Sequence, residues 1–235
     1  MGAKVRFLLV EPREAGNVGA AARAMKNFGF TELAFAGELP PLQPVAEWWA
    51  SGAEDVVASA SRHPSVEAAL EGVHVAIATT SSRERAVERP LDPSGVRELR
   101  DALAQGQTLA LVFGREDRGL TADEIALCGR TAVVPTSDLH PTLNLAQAVA
   151  IFAWELSRAP LEGAPARDLA THDAVERLHE AARSLLLDAG FLHESNPDRI
   201  YDGLRAIAAR ALLDEREVTI LLGAIRQLRW WGTRR

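Results

Sequence analysis

Pro135-Thr-Ser-Asp-Leu-His-Pro-Thr-Leu-Asn-Leu-Ala146 follows the short apolar run Thr131-Ala-Val-Val134 and leads into a helix-like run from Leu143 to Leu156. An apolar strand, a polar loop and then a helix read as one unit of an α/β protein. The loop is rich in Pro, Ser and Thr and ends in an Asn at a helix start. It therefore offers both backbone and side-chain hydrogen bonds to a ligand. Two loops of the same kind precede it. Gly16-Asn-Val-Gly19, with Arg23 beyond it, follows the run Val5–Val10. Phe113-Gly-Arg-Glu-Asp-Arg-Gly-Leu120 follows Leu109–Phe113. Three such loops predict one composite site.

Working outward, the pattern predicts strands over Val5–Val10, Glu32–Ala36, Val73–Ala78, Leu109–Phe113 and Ala132–Val134. Helices are expected over Asn17–Asn27, Val45–Ala60, Ser94–Ala104, Thr121–Leu127 and Leu143–Leu156. Strands written as solid apolar runs and alternating with helices indicate an α/β fold, a parallel sheet covered by helices on both faces. The polar loops after Val10, Ala78, Phe113 and Val134 then lie at carboxyl ends of strands, where open α/β sheets bind ligands. Pro160, Gly163 and Pro165 interrupt this pattern, so 161–168 reads as a linker between a domain 1–160 and a small all-helical carboxyl-terminal extension, 169–235. The extension is expected to hold helices over His172–Ala189, Asp198–Ala211 and Glu215–Trp231, the last capped by Asp214.

Composition is that of an ordinary globular protein, 47% hydrophobic and 25% charged. No apolar run approaches the roughly 18 residues of a membrane span. With Cys128 as the single cysteine and six scattered histidines, neither a disulfide framework nor a metal site is expected. The amino-terminal residues enter a strand directly, with no signal-peptide pattern, so a cytoplasmic protein is expected. The net charge of −6 argues against a nucleic-acid partner at face value. Residues 166–235, however, balance 11 Arg against 11 Asp and Glu, leaving the deficit in residues 1–165. Net charge does not settle the partner.

Gly16-Asn-Val-Gly19 lacks the full G-x-G-x-x-G spacing, which argues against a dinucleotide-dependent dehydrogenase. Arg23 stands among Ala20, Ala21, Ala22 and Ala24 near a loop, a setting that suits a ligand contact as well as a surface arginine. Gly114 would let a ligand approach the backbone closely. Arg115 and Glu116 could pair with each other or with a substrate, and Asn144 could cap its helix or touch a ligand. No nucleophile–base pair and no phosphate-binding G-x-x-x-x-G-K-[ST] is present. Such a site suits a transfer reaction in which a cofactor carries the reactive group.

Together the loops resemble the three motifs of the SpoU branch of the SPOUT methyltransferases. Gly16–Phe30 matches the first, Leu111–Leu120 the second, and Val134-Pro135 with Thr142-Leu-Asn-Leu-Ala146 the third. Ala50–Val57, Thr80-Ser-Ser-Arg83 and Ala189–Pro197 narrow the resemblance to the TrmJ-type tRNA ribose 2′-O-methyltransferases, which act on nucleotide 32 of the anticodon loop. The resemblance implies a carboxyl-terminal trefoil knot near 109–158, a homodimer, and S-adenosylmethionine bound in the knot, with tRNA as substrate and no metal. It places cofactor contacts on Thr80, Ser81, Ser82, Gly114, Val134, Thr142, Leu143 and Asn144. Active-site positions fall on Asn17, Arg23, Arg115, Glu116 and Asn144. The chain departs from the family in having Thr142 where Ser is usual and in a loop one residue shorter after Ser82. A SpoU-type enzyme acting on ribosomal RNA or another tRNA position is the alternative.

Overall fold

Consecutive apolar residues place side chains on both faces of a strand, so such strands must be sandwiched between layers. The computed structural model, which describes residues 2–81, 89–160, 167–192 and 197–233, has this architecture. Strand β1 (Lys4–Val10) lies at the centre of a six-stranded sheet with β2 (Leu33–Ala36), β3 (Ser61–His63), β4 (Val75–Thr79), β5 (Thr108–Phe113) and β6 (Thr131–Ala132). The order is β3-β2-β1-β5-β4-β6, and every pairing is parallel. Phe7 is level with Leu33 on one side and Leu111 on the other. The chain runs outward from β1 to β3, then crosses to β4 and returns with β5 to the flank of β1. The topology therefore switches direction between β1 and β5, where their carboxyl-terminal loops splay apart and leave a crevice.

Alternation along β1 feeds two cores. Val5, Phe7 and Leu9 face one, with Val18, Ala22 and Met25 of α1 (Ala15–Asn27) and Val149 and Phe152 of α7 (Leu145–Ser157). Leu8 and Val10 face the other, with Leu70, Ile125 and Cys128. That second face is lined by Ala34, Ala36, Ala76, Ala78 and Ala110, whose small side chains let α4 (Val66–Ala69) and α6 (Ala122–Cys128) sit close to the sheet. On the first face Phe7 stacks on Phe113 at 6.1 Å, and Phe113 meets Phe152 edge-on at 6.0 Å, fastening α7 to the sheet centre.

The expected helix over 45–60 is two helices, α2 (Val45–Ala50) and α3 (Glu54–Ser59). Ser51 and Gly52 adopt left-handed backbone at φ 36° and 90° and end the first. Glu54 then accepts a bond from the Gly52 N–H at 2.9 Å, which fixes the corner. Gly19 makes the α1–α2 approach possible: a Cβ there would lie 2.1 Å from the Ala46 carbonyl oxygen. Helix α5 (Pro93–Ala102) covers the sheet beside α7, and Arg100 donates to the Leu156 and Arg158 carbonyls at the end of α7.

The extension forms α8 (His172–Asp188), α9 (Pro197–Ala211) and α10 (Glu215–Gly232). Ala174, Leu178 and Val218 make a small core of their own. It is docked: the His172 N–H bonds Val73 O at 2.6 Å, and Arg130 reaches Ala209 O at 3.1 Å. Of the expected linker, 161–166 lies outside the described residues. Arg167 and Asp168 are tied to the end of α5 and the segment between α5 and β5, Arg167 through Ala102 O and Asp168 through Gln107. No described helix is long and apolar enough to cross a membrane.

Candidate active site

The crevice at the switch point opens into a cavity of about 570 Å³, within the usual range for a small-molecule site. Loops after β1, β4, β5 and β6 all reach it. Asn17, Thr80, Ser81, Gly114, Arg115, Glu116, Val134, Thr142, Leu143 and Asn144 line it, so residues up to 127 positions apart are brought together. Phe113, Leu120, Ile125 and Phe152 supply an apolar floor. Ser82 lies outside the described residues.

Three of these side chains form a directed chain of hydrogen bonds. The Glu116 carboxylate accepts from the Arg13 N–H at 2.8 Å, the Glu14 N–H at 3.3 Å and Asn17 Nδ2 at 3.0 Å. Asn17 Oδ1 in turn accepts from Asn144 Nδ2 at 2.9 Å. Each predicted motif contributes one member. Glu116 can only accept, so Asn17 must turn its NH₂ toward it and its oxygen toward position 144. Asn144 also caps α7, accepting from the Ala146 N–H at 2.9 Å, with Gln147 completing a capping box. Of its two sequence readings the cap is present, and the other end of the same amide is bonded to Asn17 at the cavity.

Arg115 does not pair with Glu116, one of the two readings made of it. Its guanidinium is buried. Nε bonds Glu11 at 2.8 Å, and the two terminal nitrogens grip Glu124 at 2.9 and 3.0 Å. These pairings raise the guanidinium further above its ordinary value, and the bond from Arg115 holds the Glu11 carboxyl below its own. Burial pushes Glu124 upward, but bonds from Arg115 and the Thr121 backbone outweigh it and leave the carboxyl lowered. Gly114, which lines the cavity, also has a part in the loop itself. A Cβ there would lie 2.3 Å from the backbone of Gly119 and Leu120, so its bareness lets the loop close on itself.

Arg23 does not line the cavity. It follows Asn17 by six residues, which turns it about 240° around the helix axis. It is exposed, and it makes no hydrogen bond or ion pair among the described residues. It stands one turn beyond Gly19, on the side of α1 that packs against α2. The same layer exposes Trp48, Trp49 and Trp154, each more than half accessible.

Glu11 and Glu124 were not among the predicted site residues. A signal for each exists: Glu11 is the first residue after the apolar run of β1, and Thr121-x-x-Glu124 has capping-box spacing.

The sequence model of the SpoU rRNA methylase family matches residues 4–154, from the start of β1 into the last turn of α7. Curated tRNA (cytidine/uridine-2′-O-)-methyltransferases TrmJ are similar along nearly their whole length. That of Pectobacterium atrosepticum is 35% identical over 233 residues, covering 94% of this chain and 95% of the relative. That of Salmonella typhimurium is 35% identical, covering 94% of each. The crystal structure of TrmJ from Z. mobilis ZM4 superposes with a TM-score of 0.82 at 29% identity, over 97% of this chain and all of that one.

Proposed function

The chain belongs to the SpoU rRNA methylase family, and we propose that it transfers a methyl group from S-adenosylmethionine to a ribose 2′-hydroxyl of tRNA. The target nucleotide in this proposal is position 32 of the anticodon loop, as C, U or both. The observation that carries the reading is the Glu116–Asn17–Asn144 chain, which knits three motif loops around one cavity. The names of the full-length relatives support the substrate class.

The cavity suits the cofactor chemically. Its floor is apolar, and the backbone turns at Thr80, Ser81 and Gly114 offer polar atoms beside it. Thr80, Ser81, Ser82, Gly114, Val134, Thr142, Leu143 and Asn144 would hold the cofactor within a trefoil knot near 109–158. Bound there, S-adenosylmethionine supplies an already activated methyl group. The chain's own task is to align the 2′-oxygen and manage its proton. Arg23 would orient the 2′-hydroxyl and the neighbouring phosphate as a charged fork, since a neutral guanidinium is costly. Its place outside the cavity of its own chain supports a homodimer in which Arg23 serves the partner's cavity. The exposed Trp48, Trp49 and Trp154 are apolar surface suited to such a contact. In this reading 1–160 is the catalytic domain, 161–168 the linker and 169–235 an extension that contacts RNA, in the cytoplasm.

A second reading, methylation of ribosomal RNA or another tRNA position, is kept open by the description of the matching family. The test is transfer from labelled S-adenosylmethionine into bulk tRNA, with modified nucleosides mapped by mass spectrometry. 2′-O-methylcytidine or 2′-O-methyluridine at position 32 is expected. Transfer into ribosomal RNA alone would replace the first reading with the second.

A further inference from the structure

We infer that Glu11 is a positioning residue for this reaction: it holds Arg115 to the inner side of loop 114–120 so that Glu116, the next residue, faces Asn17. The inference rests on the methyltransferase reading. Glu11 follows β1 directly with left-handed backbone, φ 41°, which residues bearing a Cβ rarely adopt. Across the strand end Gly37 is also left-handed, at φ 77°, and a Cβ there would lie 2.7 Å from Glu11 Cγ. Two unusual backbone positions thus make room for one carboxylate. Such conformations persist where the surroundings impose them, and they cluster at functional sites.

The carboxylate accepts from Arg115 Nε at 2.8 Å while Glu124, at the start of α6, takes the other side of the same guanidinium. One buried cation therefore ties together the end of β1, loop 114–120 and α6. Within the loop, Gly119 N–H donates to Arg115 O at 2.8 Å, and the guanidinium reaches Gly119 O at 3.5 Å, closing the turn that walls the cavity. With Arg115 held inward, Glu116 projects the other way and takes the Arg13 and Glu14 N–H groups and Asn17. Glu11 contacts none of the Glu116–Asn17–Asn144 chain directly. It acts through Arg115.

The test compares Glu11→Gln and Glu11→Ala in the full chain, measuring S-adenosylmethionine binding by calorimetry, thermal unfolding, and methyl transfer to tRNA at saturating cofactor. Glu11→Gln keeps an acceptor for Nε and loses only the charge. We expect the cofactor Kd to rise about tenfold in Glu11→Ala and about threefold in Glu11→Gln. Arg115→Lys, which keeps the charge but cannot span both carboxylates, should weaken binding similarly. Glu11→Ala combined with Arg115→Lys should then lose no more than the worse single change. An unchanged Kd with a lowered melting temperature, or additive losses in the double variant, would make Glu11 a stability residue and overturn the inference. A folded wild-type chain that does not bind S-adenosylmethionine would instead overturn the methyltransferase reading beneath it.

Discussion

Asn144→Asp separates the two duties that one amide performs. The cap survives, because Asp keeps an oxygen where Asn144 Oδ1 accepts from the Ala146 N–H, and a negative charge suits a helix amino terminus. The relay does not survive. Asn17 Oδ1 loses its donor and faces a second acceptor at 2.9 Å. Rotating the Asn17 amide offers no escape, because its oxygen would then meet the acceptor-only Glu116, now 3.0 Å from Nδ2. An unmade hydrogen bond costs about 1–3 kcal/mol, and Asn144 is exposed enough for water to relieve part of it, so about 1.5 kcal/mol is expected, roughly tenfold in rate. Methyl transfer from labelled S-adenosylmethionine should fall by that factor while the melting temperature stays within a few degrees of wild type. Adding Glu116→Gln should restore part of the loss. Its oxygen can still accept from the Arg13 N–H, and its NH₂ can donate to a rotated Asn17. A full-rate Asn144→Asp, or a double variant with summed losses, would show that the direction of this chain does not matter to the reaction.

Other consequences follow from single contacts. Gly19→Ala should lower stability by about 1–3 kcal/mol in denaturant unfolding, because its Cβ would have to displace the Ala46 carbonyl. Arg23→Lys should retain part of the transfer activity if the arginine orients substrate; complete loss with cofactor binding intact would require the planar fork or a basic role. Arg226→Ala with Arg229→Ala, both in α10, should weaken tRNA binding in a gel-shift assay and leave the cofactor Kd unchanged; no change in tRNA binding would confine this helix to packing. Burial holds the His179 imidazole down to about 4. With its folded value depressed, its contribution is complete above about pH 6.5 and is lost as pH falls toward 4, roughly 3 kcal/mol in all. His179→Phe should flatten that part of the acid-unfolding profile, and an unchanged slope would assign it to other groups.

The legible parts of the fold are those whose side chains alone specify them. β1, β4 and β5 are runs of apolar residues bounded by polar loops, and their parallel arrangement follows from the helices between them. β3 contains Ser61, Arg62 and His63, none apolar, and joins the sheet through backbone pairing with β2. Helix α4 is a single turn held by the Ser65 cap, too short to show a period. The split of α2 from α3 depends on the left-handed Ser51-Gly52 pair inside an otherwise continuous helical pattern. In the site, Asn17, Glu116 and Asn144 stand out as polar residues on loops after strands or at helix starts. Their mutual bonds span 99 and 127 positions and depend on the β1–β5 switch point. The inward turn of Arg115 could not be read locally, because its partners Glu11 and Glu124 lie on other elements.

The charges around the cavity bear on what completes it. Arg115 is committed to Glu11 and Glu124, so it offers no charge to a substrate phosphate. Glu116 spends its carboxylate on N–H donors, with no ion pair among the described residues. On the described wall Arg118 is paired with Glu11 at 3.5 Å, and Arg115 and Arg118 only balance Glu116 and Asp117, so the wall offers an RNA backbone no excess of positive charge. A polyanionic substrate needs a cation near the reacting oxygen, and the same chain's Arg23 is turned away along α1. In a homodimer closed through the exposed tryptophans, a partner's Arg23 would supply that cation from outside the cofactor pocket. Mixing an Arg23→Ala chain with a chain carrying Gly114→Ala, each inactive as a homodimer, should then restore transfer at one of the two cavities in each mixed dimer. If no activity returns although mixed dimers form, Arg23 acts within its own chain, and α1 must move to bring it there.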